Sequence, residues 1–475
     1  MKADFAKLDR AFNPRIIAVV GDSKKNNFHW LRNESTFKGK LYSVQVNPES
    51  IEGIKELGVE NYTSLLDIPE PVDLVIVNVP REMVPQILED CIRKEVGAAH
   101  FFASGFAETG TDEGIRLERL LTESAEQANF HIVGPNCRGI FNPKIGLKQI
   151  GEQYSGFAGQ VGVIMQSGGF AMTFAREAHL QGVDINKSVS FGNGIVLDAS
   201  DYLEYFGSDP EIKAIGMYVE GVKNGRRFFT VLREVAARKP VVIWKGGWTA
   251  DGGRAIASHT GSLAVPQTVW DAAVRQCGAI NVAGMEGLID TLKALLFLSP
   301  VRGNRVGVAG GAGGQSIAIT DVLAGAGFKV PLLTQKSYDE LATFFSLVGG
   351  SYRNPLDTDS GHNRRELARI FEILERDANI DNLMLLSRVG SFLFSPELQD
   401  ADIEAVVSIR KKTLKPVLVI LPYSTPEEMA EAIEVTPRFQ NGGVPVFPSM
   451  ERGAAALRNA LSYYRLKSSD IVIYG

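Results

Sequence analysis

The stretch Val161-Gly162-Val163-Ile164-Met165-Gln166-Ser167-Gly168-Gly169-Phe170 decides the fold. Its apolar run shows no alternation, which reads as a strand buried on both faces of a parallel sheet. The turn that follows holds only small or polar residues. Phe170 then opens an apolar helix that closes at Gln181-Gly182. The same order returns at Arg305-Val306-Gly307-Val308-Ala309, where Gly310 to Gly314 lead into a helix closing at Gly325-Ala326-Gly327. This recurrence predicts an internal repeat of α/β units.

Upstream, the strands Arg15 to Val20, Leu41 to Val46, Val72 to Val77, His100 to Ala103 and Phe130 to Val133 all end in Gly, Ser, Asn or Pro. Helical patterns such as Val84 to Val96 and Gly114 to Gln127 lie between them. Strand, polar turn and helix in alternation predict a doubly wound parallel sheet, whose ligands sit at the carboxyl ends of the strands. Further strands are expected at Lys187 to Phe191, Ala214 to Val219, Val241 to Trp244, Asn382 to Leu386 and Pro416 to Ile420. The length of 475 residues, at roughly 150 residues per domain, predicts three domains with boundaries near 1–150, 151–300 and 301–475.

Composition narrows the class. A hydrophobic share of 45% and a charged share of 22% are those of a globular protein. A net charge of −5 argues against a nucleic-acid-binding surface. The three cysteines, Cys91, Cys137 and Cys277, are scattered with no CxxC pair. That pattern argues against a disulfide framework or a metal site and predicts a reducing cytoplasm. The N-terminus carries no apolar signal core. No uninterrupted apolar run reaches the ~18 residues a membrane span needs.

Three features carry chemistry. A helix start offers unpaired N–H groups and partial positive charge, so it binds anions. The turn with Ser167, Gly168 and Gly169, and the turn with Gly311, Gly313 and Gly314, are therefore candidate phosphate cradles. Glycines there serve tight strand-to-helix packing equally well. The third feature is His259, in a glycine-rich stretch, Lys245 to Ala264, that reads as a loop. A neutral imidazole attacks phosphorus when its other nitrogen donates to a carboxylate. Glu220, at the end of the strand Ala214 to Val219, is the candidate carboxylate, though a solvated strand-end acid is the plainer reading. Together these features suggest two helix starts aimed at one phosphoryl group on His259.

Two familiar motifs are absent. Met165 stands where a nucleophile elbow needs glycine. Gly21-Asp22-Ser23-Lys24-Lys25-Asn26 lacks G-x-G-x-x-G, which disfavours a nicotinamide dinucleotide. Lys24 and Lys25 suit the phosphates of a nucleotide-like ligand, or simply a solvated turn.

As a set, Ser104-Gly105-Phe106-Ala107-Glu108-Thr109-Gly110, Gly134-Pro135-Asn136-Cys137-Arg138-Gly139, Gln166 to Gly169, Tyr218-Val219-Glu220-Gly221, Ser258 to Ala264 and Asn354-Pro355-Leu356-Asp357 resemble the α chain of the NDP-forming acyl-CoA synthetases, relatives of succinyl-CoA synthetase. The resemblance covers about residues 10 to 465. It implies a Rossmann-like CoA-binding domain followed by two flavodoxin-like ligase domains. It implies that His259 is the phosphohistidine and Glu220 its orienting acid. Coenzyme A contacts are then expected at Gly21, Ser23, Lys24, Lys25, Asn47, Pro48, Asn78, Pro80, Ser104, Gly105, Phe106 and Asn136.

The reaction so implied couples acyl-CoA cleavage or formation to phosphorylation of ADP or GDP, through acyl phosphate and phosphohistidine. No ATP-grasp module is visible in the chain. The nucleotide, with its magnesium, is therefore expected on a separate ATP-grasp β chain in an α2β2 assembly, with a small carboxylic acid as co-substrate. A non-catalytic CoA- or acyl-CoA-binding regulatory subunit is the alternative, and a nicotinamide-dependent oxidoreductase a weaker one. The chain departs from the family where Arg138 replaces an apolar residue, where Val265 replaces a glycine, and in the bulky Asn27-Phe28-His29-Trp30.

Overall fold

A computed structural model describes residues 3–260, 266–311, 313–347, 351–358, 361–390 and 396–473; the side chains of 250, 257–260, 361, 396 and 468–473 lie outside the description. The chain divides into two compact units. The first holds residues 1–179 and 183–283, and the second holds 180–182 and 284–475.

The first unit carries two sheets. Strands β1 (Ile16–Val20), β2 (Lys40–Val44), β3 (Glu60–Tyr62), β4 (Leu74–Val77), β5 (Ala98–Phe101) and β6 (Ile132–Val133) form a parallel sheet in the order 3-2-1-4-5-6. Strands β7 (Gly139–Phe141), β8 (Val161–Met165), β9 (Ile185–Ser190), β10 (Ala214–Val219), β11 (Val241–Lys245) and β12 (Ile280–Val282) form the other, in the order 12-11-10-8-9-7. Only β7 runs antiparallel there, along β9. The chain leaves β8 toward β9 on one side and returns to β10 on the other. The carboxyl ends of β8 and β10 therefore flank a switch point, where such sheets bind ligands.

β8 and β10 are buried along their whole length, as continuous apolar runs in a parallel sheet covered on both faces must be. The two sheets share one core. Phe12, on the helix Phe5–Phe12, packs edge-on against Phe206 at 5.3 Å, with Tyr202 and Tyr205 beside it on the helix Ala199–Ser208.

The second unit carries β13 (Val306–Gly310), β14 (Asn382–Leu386), β15 (Val417–Ile420) and β16 (Val446–Phe447), all parallel and in sequential order. The helix Gly314–Gly325 follows β13. Among the described residues no helix is long and apolar enough to cross a membrane. The three cysteines are free and buried.

Candidate active site

A cavity of about 510 Å³ opens where the carboxyl ends of β4, β5 and β6 meet the switch point of β8 and β10. Asn78, Pro80, Ser104 and Asn136 line one side of it, and Ser167, Gly168, Gly169 and Glu220 another. Eight of the expected site residues thus share one wall-to-wall space in the first unit.

One side is built by the helix Gly168–Leu180, which starts immediately after the β8 turn. Ser167 Oγ accepts from the N–H of Phe170 at 3.4 Å, and the Ser167 carbonyl accepts from Ala171 at 3.1 Å. The N–H groups of Gly168 and Gly169 lie in the first turn, which has no intrahelical acceptors for them. A Cβ on Gly169 would find nothing nearer than Ser167 Oγ at 3.9 Å, so this approach is open. A Cβ on Gly168 would stand 2.9 Å from Arg138 Cγ, so glycine there makes room for the arginine.

Glu220 follows β10 and is buried. Its backbone N–H donates to Gln166 Oε1 at 2.8 Å, Tyr218 Oη donates to its Oε1 at 3.3 Å, and Lys245 Nζ donates to its carbonyl at 2.6 Å. Burial, with the Glu220 carboxylate beside it, pushes the Tyr218 phenol up. Burial likewise pulls the Lys245 ammonium down.

The stretch containing His259 corrects the sequence reading. Residues Ala250–Thr260 form a helix rather than a loop. Thr249 Oγ1 accepts from the N–H of Gly252 at 3.0 Å, Asp251 sits in the positive first turn, and Ile256 is buried. This helix lies against the turn Ala107–Thr109. The His259 side chain lies outside the described residues, as does Val265.

The remaining expected coenzyme residues lie off the cavity wall. Gly21 has φ +87°, and a Cβ there would meet Val79 at 2.4 Å, so this glycine lets β1 and β4 end side by side. Ser23 donates its N–H to Asn26 at 3.0 Å, while Lys24 and Lys25 are exposed. Asn47 caps the helix Pro48–Glu56, accepting from Glu49 at 2.9 Å with Pro48 at its first position. The N–H groups of Gly105 and Phe106, expected to meet the coenzyme, are already held by Glu108 Oε1 at 2.5 and 3.2 Å, and the Phe106 side chain is buried. The bulky 27–30 stretch turns inward: Phe28 and Trp30 are buried, and Trp30 packs edge-on to His100 and Phe102. In the second unit the N–H of Gly313 donates to Asp357 at 3.2 Å, while residue 312 lies outside the description. Gly311 precedes that position, and Gly314 follows Gly313 at the start of the helix.

Several participants escaped the sequence reading. Buried Asp22 accepts from Asn26, Asn78 and the N–H of Leu31, and so knits the β1 and β4 turns together. Asn193 donates to Glu108 and Glu118 at 2.7 and 2.9 Å and joins Asn136 at 3.4 Å. Arg138 enters the cavity, its guanidinium 5.0 Å above the Phe102 ring and 3.3 Å from His29 Nε2. The sequence marked Arg138 as a departure from the family's apolar residue, but its place in the cavity was not legible there.

Comparison with known proteins fits this geometry. The CoA binding domain family matches residues 15–143, and the succinyl-CoA ligase like flavodoxin domain family matches 158–295. The acetate–CoA ligase (ADP-forming) II subunit alpha of Pyrococcus furiosus is 34% identical over 456 residues, covering 94% of this chain and 96% of that one. The acetate–CoA ligase (ADP-forming) I of Archaeoglobus fulgidus is 35% identical over 382 residues, covering 80% of this chain but 54% of its own greater length. The structure is similar to that of dinucleotide-forming acetyl-coenzyme A synthetase 1 from Ca. Korarchaeum cryptofilum in complex with phosphate and ADP. That match has a TM-score of 0.85 and 28% identity, and covers 98% of this chain and 99% of the other. With near-complete coverage of an α subunit and a site assembled from a CoA-binding sheet and a ligase sheet, the chain belongs to the NDP-forming acyl-CoA synthetases, as an α chain.

Proposed function

We propose that this chain carries out the acyl-transfer and phosphohistidine steps of acyl-CoA ligation in the cavity between its first two sheets. One observation carries the reading: the helix start at Ser167, Gly168 and Gly169 and the buried carboxylate of Glu220 line the same cavity as Asn78, Pro80, Ser104 and Asn136. A CoA thioester lies along the second group, with its carbonyl near the first. An oxygen of inorganic phosphate attacks the carbonyl carbon, the C–S bond breaks, and the thiolate takes a proton. The product is an acyl phosphate whose charge rests on the helix start.

A nitrogen of His259 then attacks phosphorus. The N–P bond forms, the bond to the acyl oxygen breaks, and the carboxylic acid leaves as its anion. Glu220 accepts from the other ring nitrogen, which fixes the tautomer and stabilises the developing imidazolium. The helix Ala250–Thr260 would carry the phosphorylated ring to a nucleoside diphosphate on a separate ATP-grasp β chain, which takes the phosphoryl group as the N–P bond breaks. The greater length of the Archaeoglobus relative and the subunit naming of the Pyrococcus relative support a further module carried on a separate chain. The turn at Gly311, Gly313 and Gly314 is proposed as a further phosphate contact. The α2β2 stoichiometry and the cytoplasmic location belong to the same reading. Family membership does not favour a non-catalytic regulatory subunit.

The test is exposure of the chain, with and without a candidate β chain, to an acyl-CoA and labelled inorganic phosphate. The expected outcome is acid-labile, base-stable label that disappears in His259→Ala. Label persisting in that variant refutes the proposal.

A further inference from the structure

The cavity contains a cation that the steps above do not use. Arg138 is half-buried, with its backbone N–H held by Ser190 Oγ at 3.1 Å. Its stem lies along the helix start at Gly168, and its guanidinium stacks on Phe102. Among the described residues its one side-chain acceptor is His29 Nε2 at 3.3 Å. Burial and the neighbouring cation hold the imidazole of His29 below its usual range, so it accepts as a neutral ring. A guanidinium has five N–H donors, so most of the fork is left for whatever fills the cavity. Among the described residues no carboxylate pairs with it. A partly desolvated cation stacked, propped and left without a counter-ion is arranged to receive one from a ligand.

On the coenzyme A reading three anions enter this space: the coenzyme's phosphates, inorganic phosphate and the carboxylate that is ligated or released. The helix start already serves phosphate through backbone N–H groups. The arginine is fixed on Phe102, which lines the cavity, and is propped by His29. We infer that Arg138 selects acyl groups bearing a second carboxylate, with the substrate a short dicarboxylic acid whose far end pairs with the guanidinium. The inference rests on the coenzyme A reading of the cavity.

Calorimetric titration of the chain with thioesters matched in carbon number tests it: succinyl-CoA against butyryl-CoA, and malonyl-CoA against propionyl-CoA. The expected result is at least about tenfold tighter binding of one or both dicarboxylyl thioesters than of their matches, a difference typical of a charge-assisted pair. Arg138→Gln should bring that ratio close to one, and Arg138→Lys should keep part of it as a point charge. Free coenzyme A, titrated alongside, separates two failures. If it does not bind, both the coenzyme reading and this inference fall. If it binds but the wild-type ratio is near one, this inference alone falls, whether or not a variant folds. Arg138→Gln weakening inorganic phosphate while leaving the thioester ratio intact would also overturn it, by assigning the cation to phosphate.

Discussion

The backbone N–H of Glu220 donates to the side-chain oxygen of Gln166 across 2.8 Å, and the N–H of Gly221 reaches the same oxygen at 3.4 Å. Two donors converging on one atom require it to be the carbonyl oxygen of the amide. Gln166 follows β8 and Glu220 follows β10, so this side chain clamps together the two strand ends that flank the switch point.

Removing the clamp should be costly. Gln166→Leu leaves two N–H groups of a partly buried turn without their acceptor, at about 1–3 kcal/mol. We expect that loss in chemical denaturation, together with reduced phosphate incorporation. Gln166→Glu keeps an acceptor and should recover most of the stability. A leucine variant as stable as wild type would show that the clamp does not hold the turn.

The carboxylate itself can be tested without changing its shape. Glu220→Gln should lower acyl-CoA-dependent labelling about ten- to hundredfold, the range seen when an imidazole's orienting partner is lost. Tyr218→Phe removes only the donor 3.3 Å from Glu220 Oε1 and should have the smaller effect. Equal labelling in Glu220→Gln and wild type would take this residue out of the site.

The two glycines of the helix start should respond differently to one methyl group. In Gly168→Ala the new carbon would lie 2.9 Å from Arg138 Cγ, and overpacking of that kind costs about 1–3 kcal/mol. Gly169→Ala meets nothing closer than 3.9 Å, so its folding stability should stay within about 1 kcal/mol of wild type. Its methyl nevertheless occupies the open approach to the helix start, and phosphate labelling should fall. Loss of stability in Gly169→Ala with labelling retained would reverse this assignment.

Acid should destabilise the first unit through His100. The ring is buried, its Nε2–H donates to the Cys137 carbonyl at 3.1 Å, and burial drives its pKa from 6.5 down to about 4. Between those values the unfolded chain binds a proton that the folded chain refuses, so stability falls as pH drops from about 6.5 toward 4. The full effect is about 3 kcal/mol. His131, also driven down to about 4 by burial, acts with the same sign. His100→Gln still offers a donor but does not titrate. Unfolding free energies measured between pH 7 and 4.5 should therefore fall less steeply in that variant than in wild type. Identical slopes would contradict this account.

Most of the fold was legible because its strands are buried on both faces and announce themselves as apolar runs. β8, β10 and β14 fall where the residues predicted them. β3, β7, β12 and β16 were not foreseen; each is two or three residues long and sits at a sheet edge, where no long apolar run is needed. The helix over Ala250–Thr260 was hidden by its glycines, whose low helix propensity is outweighed by the Thr249 cap and the burial of Ile256.

By itself the sequence determined the alternation of strand and helix, the parallel sheets, the small-residue turns at strand ends and the family. Each of these is a local pattern repeated along the chain. Only the tertiary structure decided which strand ends meet, that Glu108 holds the N–H groups of Gly105 and Phe106, and that Arg138 faces the cavity beside Gly168. Pairings such as Gln166 with Glu220 depend on sheet order, and no local pattern in the chain encodes which distant strand becomes a neighbour.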